Sequence, residues 1–170
     1  LDGAVSWLWA DRGEAMTAWV RGKKGLRDAT IKAAGLGLSL ANSFEPREAW
    51  GLETAFREDG TERRQWIPAG LVIPWIVNGA VQRLRVRRDN ANDGKRYVIV
   101  SGSCAGPMTW NLERSAAVVI VESELDGLLI TQQAGDLCAV VALGNAQAKP
   151  DRFTHEALKR GVCVLVSLDT

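Results

Sequence analysis

Three acidic residues stand where a divalent cation would need them. Glu122 directly follows the apolar run Ala117–Val121, and Asp126 lies one helical turn further on. Asp169 directly follows a third apolar run, Val162–Leu168, and the second run, Cys138–Leu143, leads into Gly144-Asn145. Carboxylates at strand ends are hard oxygen ligands, and Mg²⁺ is commonly held by one or two of them together with phosphate oxygens. Glu122 and Asp169 are the candidate ligands of a divalent cation such as Mg²⁺, and Asp126 adds a third acid one turn on. A single acid after a strand is as often an ordinary helix cap; it is the recurrence that carries the assignment.

A second group of residues is basic. Arg83, Arg85 and Arg87 alternate with Leu84 and Val86. In a strand this places three guanidiniums on one face, roughly 7 Å apart. Arg88, Lys95 and Arg96 lie close by in the sequence. Such a row suits a phosphate backbone, because Arg engages phosphate bidentately. The competing reading is a solvated sheet face whose charges keep an edge strand soluble.

The elements that must position the acids follow from hydrophobic period. Between the apolar runs lie Glu124–Ala134, with Leu125, Leu128 and Leu129 on one helical face, and Arg152–Arg160. Gly135 and Gly161 end these helices. Strand–helix–strand–helix–strand with doubly apolar strands predicts a parallel sheet with helices on both faces. Ligands of such sheets sit at the carboxyl ends of the strands, where Glu122, Gly144-Asn145 and Asp169 all fall.

The earlier part of the chain reads as α+β. Ala15, Met16, Trp19 and Val20 share a helical face that stops at Arg21–Gly25, and a second helix is predicted over Asp28–Ala34. Residues 39–66, broken by Pro46, Gly51 and Gly60, read mostly as loop. Leu71–Ile73 reads as a strand closed by Pro74, Asn78-Gly79 as a hairpin turn, Val81–Arg88 as its partner, and Arg96–Val100 as a third strand. None of the 7 tryptophans falls after Trp110, which sets a composition boundary. An N-terminal α+β subdomain over 1–112 and a parallel-sheet subdomain over 113–170 are predicted.

Composition excludes several classes. The 170 residues are 46% apolar and 24% charged with a net charge of +1, which describes a globular chain with a real core. No uninterrupted apolar stretch is long enough to cross a bilayer. No secretory signal opens the chain. The 3 cysteines are too few for a disulfide framework, so a reduced, cytoplasmic setting is expected. The chain starts at Leu1 and stops just after an apolar run, so it is expected to be a piece of a longer protein whose sheet is cut after its third strand.

Other motifs fail on context. Gly102–Gly106 has nucleophile-elbow spacing with Cys104 at its centre, but Pro107 follows where a helix should begin. Cys104, Cys138, Cys163 and His155 lack zinc-ligand spacing. Gly35-Leu36-Gly37 is not preceded by a strand, and no phosphate-binding P-loop sequence occurs. Tryptophans can stack single-stranded bases, but most are assigned to the core.

With these residues in hand, a resemblance emerges. Val119–Asp126, Val141–Asn145 and Leu165–Asp169 resemble the Toprim motifs of bacterial DnaG-type DNA primases. Those motifs are a strand ending in Glu with an Asp shortly after, a turn after the second strand, and an Asp-x-Asp after the third. Trp19–Leu26 resembles that family's Arg-Gly-Leu segment. Gly70–Pro74, Arg87 and Arg96-Tyr97 resemble its Ile-x-Phe-Pro strand, Arg and Lys-Tyr pair. The likeness runs from about Trp19 to Asp169.

The resemblance implies template-directed synthesis of short RNA primers on single-stranded DNA. Glu122, Asp126 and Asp169 would be the catalytic acids. Mg²⁺ or Mn²⁺ would be the cofactor, with nucleoside triphosphates and a fused or separate replicative helicase as partners. It also implies a location in the bacterial cytoplasm, on a chromosome or on a phage, plasmid or integrated element. Ser123 departs from the usual Gly, and the second acid of Asp-x-Asp would fall at position 171. The metal site of the chain as given is therefore expected to be one carboxylate short and the chain inactive alone. The alternatives are another Toprim phosphotransfer enzyme (nuclease or topoisomerase) and a non-catalytic single-strand-binding module.

Overall fold

The computed structural model describes residues 1–89, 94–113, 117–145 and 147–168. In chain order the elements are α1 (Asp2–Trp9), α2 (Glu14–Lys24), α3 (Asp28–Ala33), β1 (Gly37–Ser39), β2 (Ser43–Glu45), β3 (Gln65–Ile67), β4 (Gly70–Val77), β5 (Ala80–Arg87), β6 (Tyr97–Ile99), β7 (Met108–Trp110), β8 (Ala117–Val121), α4 (Glu124–Ala134), β9 (Ala139–Ala142), α5 (Arg152–Arg160) and β10 (Cys163–Ser167). They gather into two compact units: Leu1–Ala18 with Lys32–Cys104, and Trp19–Ile31 with Ala105–Thr170. The class is α/β as expected, with an antiparallel α+β part and a largely parallel sheet.

In the first unit the sheet order is β1-β4-β5-β6, antiparallel throughout. The β4–β5 hairpin turns on Asn78 (φ 51°) and Gly79 (φ 77°). Two consecutive left-handed residues make the turn whose twist matches paired strands. Period two then sorts the sheet. Val72, Leu84 and Val86 face one side, where Ile67 and Val100 join them in a buried cluster with Ala4 of α1 packed against it. Arg83, Arg85 and Arg87 face the other.

Two expectations are corrected here. Pro74 does not close its strand, because β4 continues to Val77. Pro74 pairs opposite Leu84, whose N–H and C=O point away from β4, to Ser103 Oγ and Val100 N–H. Pro74 therefore turns its own missing N–H away from β5, to an edge that β1 leaves at Val72. Residues 39–66 are also more ordered than a loop. Ser43–Glu45 and Gln65–Ile67 pair antiparallel, with Phe44 opposite Trp66. The helix α1, unmarked by the expected pattern, precedes α2.

In the second unit the order is β10-β8-β9-β7. β10, β8 and β9 are parallel, as predicted, and β7 adds an antiparallel edge on β9. The connection β8–α4–β9 leads to one side of β8 and β9–α5–β10 returns to the other. Right-handed crossovers running in opposite directions put α4 and α5 on opposite faces. The packing agrees. Val118, Ile120, Ala139 and Val141 form a buried layer with Leu158 of α5 against it, while Ala142, of opposite parity, lies beside Gly127 of α4.

One strand departs from the doubly buried pattern. β10 is an edge with β8 as its neighbour, and Leu165 is 57% and Val166 63% exposed. The segment Trp19–Ile31 belongs to this unit, and Arg21 and Asp28 tie the end of α2 to α3 through two hydrogen bonds of 2.6 and 3.0 Å. No helix among the described residues is long and apolar enough to cross a membrane.

Candidate active-site rim and basic strand

Glu122 stands at the carboxyl end of β8, at the point where the sheet's connections diverge. β8 leads into α4 on one face of the sheet and β9 towards α5 on the other, so the crevice between these two departing loops is the place where ligands of open α/β sheets bind. Ser167 pairs with Val121, so β8 and β10 finish level at this rim. Asp169, the second predicted ligand, lies outside the described residues.

The backbone at Glu122 is fixed from both sides. Its carbonyl accepts the N–H of Gly144 at 2.7 Å. Gly144 has φ 92°, a conformation that a side chain disfavours, so the Gly of Gly144-Asn145 is required by the turn itself. On the other side Ser123 caps α4: its Oγ accepts the N–H of Asp126 at 3.3 Å and donates to Asp126 Oδ2 at 2.5 Å. Ser-x-x-Asp before an apolar helical run is a capping pattern legible in sequence.

Asp126 is thereby committed. Oδ2 is held by Ser123, and Oδ1 faces the Lys24 ammonium at 3.2 Å. Glu122, just before the cap, is half-buried. Glu124 is almost wholly buried, at 1% exposure, in the first turn of the same helix. Acids in a first helical turn are favoured by the helix dipole, although three within five residues repel one another. Lys24 relieves part of that repulsion. Sequence spacing gave it no such role, although its place in the segment resembling Arg-Gly-Leu was the available signal.

Among the described residues no three acidic, His or Cys side chains gather as a ready-made metal centre. One hard carboxylate on an open rim is still a suitable donor for Mg²⁺, which takes further oxygens from substrate phosphates.

The basic row is not the open face that alternation predicted. Arg83 is 2% and Arg85 7% exposed. Their guanidiniums lie over aromatic rings, Arg83 5.6 Å from the Trp75 centroid and Arg85 4.5 Å from that of Tyr97. Trp75 is the cross-strand partner of Arg83, and Tyr97 sits one diagonal from Arg85 on β6. Planar guanidinium stacks readily on such rings and is less costly to desolvate than an ammonium. Arg87 pairs with Asp89 at 2.7 Å. Arg88 lies over the Trp66 ring at 5.6 Å and donates to the Lys95 carbonyl at 3.2 Å. Arg88 N–H also bonds the Arg96 carbonyl at 2.8 Å, so Arg88, Lys95 and Arg96 form one cluster, with Lys95 and Arg96 exposed.

No protein-family model matches the sequence. No curated protein matches it either. Solved structures do. The RNA polymerase domain of Mycobacterium tuberculosis primase DnaG superimposes with a TM-score of 0.65 at 14% identity, over 96% of this chain and 62% of that one. A DNA primase domain from Pseudomonas aeruginosa gives 0.66 at 14% identity, over 97% and 57%. A DnaG primase catalytic domain bound to single-stranded DNA gives 0.59 at 13% identity, over 97% and 58%. The chain thus spans about three fifths of the length of these structures. It has the fold of the catalytic core of DnaG-type primases.

Proposed function

We propose that this chain is part of a primase that builds short RNA primers on single-stranded DNA, with Glu122 as the acid at the centre of the reaction. The observation that carries the proposal is the position of Glu122 at the end of β8, where the connections to β9 and β10 diverge, in a chain with a primase-core fold. The reaction is nucleotidyl transfer. A primer 3′-oxygen forms a bond to the α-phosphorus of a nucleoside triphosphate, the α–β phosphoanhydride bond breaks, and pyrophosphate leaves with the electron pair.

Glu122, together with Asp169, would hold Mg²⁺ or Mn²⁺, which when bound supplies charge neutralisation and alignment of the phosphates. Asp126 keeps the first turn of α4 in place. Lys95 and Arg96, exposed, and Arg88, half-buried beside them, bind template or triphosphate oxygens. Partners of this reading are the single-stranded template, nucleoside triphosphates and a replicative helicase, in the cytoplasm of a bacterial cell.

A second reading has an observation of its own. The Trp66–Arg88 pair, with Lys95 and Arg96 exposed beside it, resembles the aromatic and cationic surfaces of single-strand-binding proteins, which need no acids. The experiment that separates the two follows ribonucleotide incorporation by the full-length protein on single-stranded DNA with Mg²⁺. Short RNA products are expected. Binding without products returns the protein to the second reading, and cleavage of the DNA makes it a different phosphotransfer enzyme.

A further inference from the structure

We infer that Lys24 is a positioning residue for Glu122, acting through Asp126 and Ser123. The inference rests on the assignment of Glu122 above. It starts from a strap. α2 ends at Lys24 because Gly25 takes φ 67°, and the chain then runs along α4 as far as Thr30. Gln132 Oε1 accepts from the Arg27 N–H and the Thr30 hydroxyl, each at 2.7 Å, while Gln132 Nε2 donates to the Gly25 carbonyl at 3.0 Å. Arg27 also reaches Gln133 Oε1 at 3.2 Å. A Cβ on Gly25 would lie 3.4 Å from Leu129. Asp126, Leu129, Gln132 and Gln133 are three or four apart, so they form one stripe of the helix. The strap covers this stripe and sets Lys24 against its first member.

From there the link reaches the rim in two steps. Lys24 holds Asp126 Oδ1, and the other oxygen of the same carboxylate accepts from Ser123, the residue after Glu122. A carboxylate tied at both oxygens cannot swing to the rim. Without Lys24, one oxygen is released into a helix terminus that also carries Glu122 and Glu124. Asp126 then becomes free to compete for a cation, and the cap that fixes Ser123 loosens. Lys24 thus keeps two acids of one turn in different roles, one presented and one withheld.

The test uses the full-length protein and five variants: Lys24→Ala, Lys24→Arg, Asp126→Asn, Lys24→Ala with Asp126→Asn, and Glu122→Gln. Two readouts are taken, amide exchange at Asp126 and Gly127 relative to β8 and β9, and the kcat and KM of primer synthesis. Lys24→Ala should speed exchange selectively at those two amides and lower kcat about 10- to 100-fold with little change in KM. Lys24→Arg should recover most of the loss, and the double variant should be no worse than the poorer single one. Unchanged exchange and kcat in Lys24→Ala, or fully additive losses in the double variant, would overturn the inference. Uniformly faster exchange across the unit, unrescued by Lys24→Arg, also contradicts it and leaves Lys24 a fold-stabilising residue. Full synthesis by Glu122→Gln fails the Glu122 assignment instead, and the exchange readout then decides the Lys24–Asp126–Ser123 link by itself.

Discussion

Gly127 of α4 lies against the indole of Trp110 on β7. A Cβ built on it would stand 2.5 Å from Cζ3 and 2.9 Å from Cη2 of that ring. The contact brings the helix that starts beside Glu122 down onto the antiparallel edge of its sheet. It also explains a glycine inside a helix, where glycine is otherwise unfavourable. Gly127→Ala should therefore destabilise the protein by about 1–2 kcal/mol, the strain of overpacking exceeding the gain in helix propensity. Thermal unfolding checks this, and pairing the change with Trp110→Leu should recover part of the loss. A more stable Gly127→Ala protein contradicts the contact.

Nucleic-acid binding should separate the arginines by exposure. Arg88→Ala, Lys95→Ala and Arg96→Ala should each reduce the slope of log affinity for single-stranded DNA against log salt by about one unit, through lost counterion release. Arg83→Ala and Arg85→Ala should leave that slope intact and instead cost about 1–3 kcal/mol of stability, because they remove buried stacked cations. Filter or fluorescence titrations at several salt concentrations give the slopes. Equal slope changes at all five positions would restore the open three-arginine face.

An acid-side prediction concerns Asp59. The Thr61 hydroxyl and the Thr61 N–H donate to its carboxylate at 2.6 and 2.8 Å, and together they hold the carboxyl below its ordinary value of 3.8. A carboxyl with a lowered folded value stabilises the turn above its unfolded value and loses that contribution as pH falls through the lower folded one. Following the Asp59 carboxyl carbon by NMR should give a midpoint below 3.8, and Thr61→Ala should move it upward. A midpoint at or above the ordinary value, unchanged by Thr61→Ala, contradicts the pair.

The sequence displays the parallel strands and the candidate acid clearly, for a physical reason. β9 is buried on both faces and β8 is at least half-buried on each, so their residues are continuously apolar, and Glu122 is conspicuous as the first polar residue past the run. The Asn78-Gly79 turn is equally legible, since few residue pairs accept two left-handed conformations. Other features depend on partners distant in the chain. β2 and β3 are three-residue strands with a long connection between them, too short to show a period. Alternation places Arg83 and Arg85 on one face but is silent on what covers that face, so the stacking on Trp75 and Tyr97 was invisible. Lys24 and Asp126 are 102 positions apart, and a single salt bridge leaves no periodic trace.

The most direct measurement is primer synthesis on single-stranded DNA by the full-length protein and its Glu122→Gln variant, with binding to the same DNA measured in parallel. The carboxamide keeps the size of the side chain and removes its charge. The account predicts that Glu122→Gln binds DNA as the parent does, unfolds at the same temperature, and makes no primers. A Glu122→Gln protein that synthesises primers at the parent's rate would contradict it.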